Sequence, residues 1–238
     1  MTNLSEELVE LASRLGLTET DASALQQALT HKSLVAEEPL LCNERLEFLG
    51  DAVLGLVVNE MLFHDFPDKM EGELARAKAL IVCQASLAAA ARRLGIIPLL
   101  RIGRSEEAMG GRNRVSLAGD VFEAIVAVIY QSRGYDAARD FVKEHLAPEI
   151  ERVHSLPDWR DPKTILQELR QGRRLQPPVY RVVQQEGLPH NRVFTISVDL
   201  DGQTAGQGVG KTKREAEQAA AQATLDALQS RRAAAKAK

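Results

Sequence analysis

The alternation of apolar and polar positions divides the chain into two parts of different period. Up to about residue 150 the spacing is helical. Leu4, Leu8, Leu11 and Leu15 recur every three or four positions, and Gly16 follows as a stop. Asp21 opens a short second helix through Leu29. A long helix is predicted over about 43–64, with Asn43 as its N-cap and Phe66-Pro67 ending it. One or two helical segments follow over 70–93, closed by Gly95, with an alanine-rich stretch at 85–91 suited to close packing. Gly110-Gly111-Arg112-Asn113 reads as a loop. Ser116 then opens a helix that is apolar nearly all round through Tyr130, and 135–146 forms another.

Beyond about residue 160 the period changes. Residues 155–162 read as a linker running into a helix start, with a short helix over 164–171 and Pro177-Pro178 in the turn after it. Residues 179–183 and 193–198 read as strands, the second alternating with period two, and 203–209 as a third, glycine-rich strand. Thr212 with Glu215 three residues on forms a capping box for a last helix. The fold class expected is an all-α domain over 1–154, a linker at 155–160, and a small α+β domain of order α-β-β-β-α over 161–229. The Ala-, Lys- and Arg-rich end, 230–238, reads as a flexible tail. No internal repeat is evident.

Charge sharpens this division. Residues 160–238 carry 14 Lys and Arg against 8 Asp and Glu, whereas residues 1–159 carry 16 against 25. An acidic first part suits cations and a basic second part suits a polyanion. Cys42 and Cys83 have neither framework nor ligand spacing and read as buried, inert thiols of a reducing cytoplasm. The acidic start of the chain does not read as a signal peptide, and no run approaches about 18 uninterrupted apolar residues, so no membrane span is expected.

The chemistry concentrates on two of the predicted helices. Glu44, Glu47 and Asp51 lie at i, i+3 and i+7 in an otherwise apolar segment, which puts them on one face. Asp120 and Glu123 lie at i, i+3 on the most apolar helix of the chain. Buried unpaired carboxylates cost several kcal/mol each or take up protons. One such pair is ordinary on a surface helix, and Arg45, Arg76 or Lys78 are available as ion-pair partners. Two clusters on two apolar helices point to a shared cation, and the all-oxygen donor set points to Mg²⁺ or Mn²⁺. Glu71, at a helix start, is equally explained by the helix dipole. The run Ala205-Gly206-Gln207-Gly208-Val209-Gly210-Lys211-Thr212 nearly fits a nucleotide-binding loop, but too little chain follows it for a parallel sheet, so no nucleotide cofactor is expected.

The segment 43–54, NERLEFLGDAVL, resembles the signature of bacterial ribonuclease III. Supporting matches are 28–33 (ALTHKS), 71–74 (EGEL) and 120–124 (DVFEA), while 161–168 and 213–220 resemble that family's double-stranded-RNA-binding domain. The resemblance implies a metal-dependent endoribonuclease acting on double-stranded RNA as a cytoplasmic homodimer. Its products carry 5′-phosphate and 3′-hydroxyl ends with short 3′ overhangs, and ribosomal and messenger precursors are its substrates. By position, Glu47, Asp51, Asp120 and Glu123 match the family's metal-site and catalytic carboxylates, with Glu123 the most sensitive to loss. Glu44 and Glu71 match outer-shell or RNA-processing positions, and Phe48 matches a residue that packs into the partner subunit, although a core aromatic reads the same way. Thr164, Gln167, Glu168 and Gln171 on the first helix of the second domain, His190 in the loop between the first two strands, and Lys211, Lys213 and Arg214 at the last helix match RNA contacts. Ala75, Ala77 and Gly119 depart from the family's frequent Ser, Arg and Ala. The alternative reading is a non-catalytic double-stranded-RNA-binding regulator.

Overall fold

Apolar periodicity builds a helical first unit in the computed structural model, which describes residues 6–156, 158–187 and 192–236. Its helices are α1 (Glu6–Arg14), α2 (Ala22–Ala28), α3 (Glu44–Asp65), α4 (Glu71–Ile81), α5 (Gln84–Leu94), α6 (Arg104–Ala108), α7 (Val115–His145) and α8 (Ala147–Ser155). The chain divides into two compact units, Met1–Trp159 and Arg160–Lys238. In the first, α7 is the hub: Val121, Phe122, Ala124, Ile125, Val126 and Ala127 are fully buried, and α3 and α5 pack along it. By length and composition α7 also suits a membrane span, but 67% of its apolar window is buried inside this unit. Gly134, at φ 81° and ψ −176°, breaks α7 into the two segments expected from the sequence.

Glycine determines how closely α3 meets α7. A Cβ on Gly50 would overlap the carbonyl oxygen of Glu123, so a larger residue there would hold the helices apart. That contact sets the acidic face of α3 against the acidic turn of α7.

Several local expectations change in three dimensions. Asn43 occupies the N-cap of α3 and is buried, but its side chain caps nothing. Asp21 likewise stands at the N-cap of α2 while its carboxylate accepts from the Thr18 amide and hydroxyl. Cys42 is buried as expected, whereas Cys83 is exposed, because it is the N-cap residue of α5 in the turn after α4. Helices α6 and α8 are additions to the elements that apolar spacing predicts. Ion pairs fasten each, Arg114 to Glu106 at 2.7 Å and Arg93 to Glu149 at 2.9 Å. Trp159, in the predicted linker, donates to the Val153 carbonyl and packs edge-on against Phe66.

The second unit runs α9 (Pro162–Gln171), β1 (Val179–Glu186), β2 (Val193–Leu200), β3 (Gln203–Gly210) and α10 (Lys213–Lys236). The sheet is antiparallel in the order β1-β2-β3. Phe194, Ile196 and Val198 from β2 meet Leu166 of α9 and Ala216, Ala220 and Leu225 of α10 in a separate small core. A Cβ at Gly206, Gly208 or Gly210 would overlap Thr224, Ala220 or Ala216 of α10, so the glycines of β3 serve close strand–helix packing. Asp161 caps α9, accepting from the Thr164 amide at 3.0 Å. Helix α10 runs to Lys236, past residue 229, because Ala, Arg and Lys are strong helix formers. His190 lies outside the described residues.

Candidate active site and RNA-binding face

The close approach at Gly50 brings acids from two helices together. Glu47 of α3 and Asp120 and Glu123 of α7 each offer an oxygen within 4.8 Å of the others. Glu123 is only 7% exposed, and Glu47 and Asp120 are half-buried. No Lys or Arg forms an ion pair with these three among the described residues, so their mutual repulsion is only partly offset within the unit. Desolvation pushes the Glu123 carboxyl up to about 8, and the charges of Asp51, Glu47 and Asp120 add to the push. Burial raises Glu47 and Asp120 as well. Such a half-buried set of oxygen donors could hold a hard divalent cation.

The other acids lie around it. Asp51 is exposed one turn beyond Glu47; it contributes to the field at Glu123 but does not converge with the three. Glu44 is exposed and pairs with Lys32 at 2.8 Å. Glu71 is the first residue of α4, where it lines a groove of about 750 Å³ with Phe63, Phe66 and Lys78 and is not one of the convergent three. Phe48 is 82% exposed and therefore not a core residue of this chain. Sequence reasoning missed three neighbours of Asp120. Gln84 donates to its Oδ1 at 3.2 Å, and His31 and Lys32 bring positive charge toward it from the loop before α3.

In the second unit Lys211, Lys213 and Arg214 stand exposed at the start of α10. Thr212 caps this helix, accepting from the Glu215 amide at 3.1 Å, while the Glu215 carboxylate reaches back to the Lys211 amide at 2.9 Å. Lys213 lies over the Phe194 ring at 6.0 Å. On α9, Gln167 and Gln171 are exposed, Glu168 pairs with Arg160 at 2.5 Å, and the Thr164 hydroxyl bonds Asp161. Arg170, which no sequence motif singles out, is buried. It donates to the Gln176 carbonyl and pairs with Asp201, tying α9 to the turn between β2 and β3.

Comparison with known proteins agrees with this architecture. The Ribonuclease-III-like family model matches residues 21–150, and the double-stranded RNA binding motif matches 162–228. The chain is 43% identical over 232 residues to Ribonuclease 3 of Desulforamulus reducens, covering 96% of this chain and 93% of that protein. It is 45% identical over 205 residues to Ribonuclease 3 of Thermobifida fusca, covering 86% and 85%. Among solved structures, the nuclease domain of ribonuclease III from Campylobacter jejuni superposes with a TM-score of 0.55 at 36% identity, over 60% of this chain and 97% of that one. A helical nuclease domain followed by a duplex-RNA-binding unit defines a double-stranded-RNA-specific endoribonuclease. The chain belongs to the ribonuclease III family.

Proposed function

We propose that this chain is a Mg²⁺-dependent homodimeric ribonuclease III that cuts both strands of duplex RNA, leaving 5′-phosphate and 3′-hydroxyl ends with short 3′ overhangs. Its substrates in this reading are ribosomal and messenger precursors in the cytoplasm. The observation that carries it is the convergence of Glu47, Asp120 and Glu123 within 4.8 Å, with Glu123 buried and its carboxyl raised to about 8. Carboxylates alone would repel a phosphodiester, so a cluster of them serves this substrate only with a cation among them.

Glu47, Asp120 and Glu123 would hold the ion, with Asp51 completing the acidic field, and Mn²⁺ would substitute for Mg²⁺ at such oxygen donors. When bound, a divalent ion supplies an activated water and charge relief at the leaving oxygen. The chain's own groups do the rest. The Gly50 contact fixes the spacing between the two acidic turns. Lys211, Lys213 and Arg214, with the amides at the start of α10, hold phosphate, while Gln167 and Gln171 present donors and acceptors to 2′-hydroxyls.

Two staggered cuts require two sites, hence two chains. Phe48, Leu56 and Phe63 are 82%, 56% and 67% exposed at near-heptad spacing on α3, an apolar strip suited to a second copy. The Campylobacter jejuni nuclease domain is described as having a region involved in dimer formation.

The test is a denaturing gel of a long RNA duplex incubated with wild type and Glu123→Gln, each with Mg²⁺ and with EDTA. Cleavage is expected only from wild type with Mg²⁺, while Glu123→Gln still shifts the duplex on a native gel. Cleavage by Glu123→Gln at the wild-type rate would remove Glu123 from the chemistry.

A further inference from the structure

We propose that Gln84 is a positioning residue for Asp120 and that Gly119 makes room for it. The inference rests on reading Glu47, Asp120 and Glu123 as ligands of a divalent cation. Gln84 is the first residue of α5, and its side chain crosses to α7, where Nε2 donates to Asp120 Oδ1 at 3.2 Å. An ionised carboxylate only accepts hydrogen bonds, so the amide must present its NH₂ group there. Among the described residues no other side chain donates to Asp120. The bond engages one carboxylate oxygen, fixes the rotation of the group and leaves the second oxygen available.

The other end of the same amide explains Gly119. A Cβ at position 119 would overlap Gln84 Oε1, whereas the Leu87 Cβ would lie at 3.5 Å, an ordinary van der Waals distance. Alanine therefore fits the helix packing at 119 and displaces only the amide. Gln84 and Gly119 form a single device, in which the missing side chain on α7 admits the amide that steadies the adjacent carboxylate.

A calorimetric titration of Mn²⁺ into RNA-free protein tests this with wild type, Gln84→Ala, Gly119→Ala, the double variant and Asp120→Asn. Gln84→Ala and Gly119→Ala are each expected to weaken Mn²⁺ binding roughly tenfold, the lower end for partners that orient metal ligands. The double variant is expected to bind no more weakly than Gln84→Ala alone. In EDTA neither single variant should melt below wild type. With Mg²⁺ as cofactor, the half-saturating metal concentration should rise while KM for the duplex at saturating metal stays constant. Wild-type Mn²⁺ affinity in Gln84→Ala, with Asp120→Asn weakened, overturns the role of Gln84. Additive losses in the double variant overturn its coupling to Gly119. Wild-type affinity in Asp120→Asn overturns instead the cation-site reading underneath.

Discussion

Each unit presses a helix against a neighbouring element at glycine, and the two contacts position charges of opposite sign. In the first unit, Gly50 lets α3 meet the Glu123 carbonyl, and the contact crowds three carboxylates into a half-buried point. In the second, Gly206, Gly208 and Gly210 let β3 meet α10, whose start carries three exposed cations. The first arrangement is electrostatically frustrated, and Glu123 retains a proton to about pH 8 because of it. The second is relaxed: its cations are solvated and its helix start is capped. Concentrated buried charge gives chemistry that fails as a whole. Dispersed surface charge gives affinity that is lost in increments.

Gly50→Ala should break the first arrangement with the largest effect. Overpacking of this kind costs about 1–3 kcal/mol, and separating α3 from α7 should also pull Glu47 from Asp120 and Glu123. Urea denaturation should show the lost stability, and duplex cleavage should fall at least ~100-fold, as it does when catalytic geometry slips by about 1 Å. Gly208→Ala carries the same steric insult into the second unit. It should weaken duplex binding while leaving Mn²⁺ affinity unchanged. Equal Mn²⁺ affinity in Gly50→Ala and wild type would show that the close approach does not set the site.

The units should also answer pH in opposite directions. The Glu123 carboxyl titrates near 4.5 when unfolded and near 8 when folded, so between those values the folded state binds the extra proton. Stability in EDTA is therefore full below about pH 4.5, falls as pH rises toward about 8 and is flat above, a loss on the order of 5 kcal/mol. Glu123→Gln should remove most of that slope. In the second unit, burial opposes ionisation of Asp161, but hydrogen bonds from Gln218 and Thr164 win and lower its pKa, and Arg170 lowers that of Asp201. Their contribution is present above 3.8 and disappears as pH falls through their folded values. Trp159, the single tryptophan, packs within the first unit, so its fluorescence during thermal melts follows the first slope.

What could be read from sequence follows the same division. Glu47, Asp120 and Glu123 were legible because carboxylates on apolar helices contradict burial, and that contradiction is visible in one dimension. Strand alternation and the Thr212 cap were legible for the same local reason. The roles of Gly50 and Gln84 were not, since each is defined by a contact with α7 that no spacing within its own helix encodes. Helix α8 escaped notice because an ion pair 56 residues away, Arg93 to Glu149, helps to hold it. The glycines of β3 imitated a phosphate loop, although their local purpose is to admit α10. Asp51, exposed one turn further along α3, acts on Glu123 through its charge but stands outside the convergent set.

Smaller effects should sharpen the picture of the second unit. Replacing Lys211, Lys213 and Arg214 together by Gln should flatten the plot of log affinity against log salt by about one unit for each phosphate that a cation no longer neutralises. Single replacements should give single steps, measured by native-gel titration across salt concentrations. Lys213→Gln should add a stability loss of about 0.5 kcal/mol, because its ammonium also lies over the Phe194 ring. A full loss of duplex binding from any one of the three would mean that this face, too, works at a single point.

The smallest effect on duplex binding belongs to Thr212. Its hydroxyl accepts from the Glu215 amide, and the Glu215 carboxylate returns to the Lys211 amide, so both groups hold the first turn of α10 where the cations begin. Thr212→Ala removes the first of these bonds and should cost about 1 kcal/mol, with Thr212→Ser close to wild type. The frayed turn would still carry every cation, so duplex affinity should fall only about twofold and its salt dependence should not change. An altered salt slope in Thr212→Ala would mean that the cap aims the cations rather than merely steadying the helix. The second unit would then depend on fixed geometry as the first does, and the contrast between point and surface would narrow to one of burial alone.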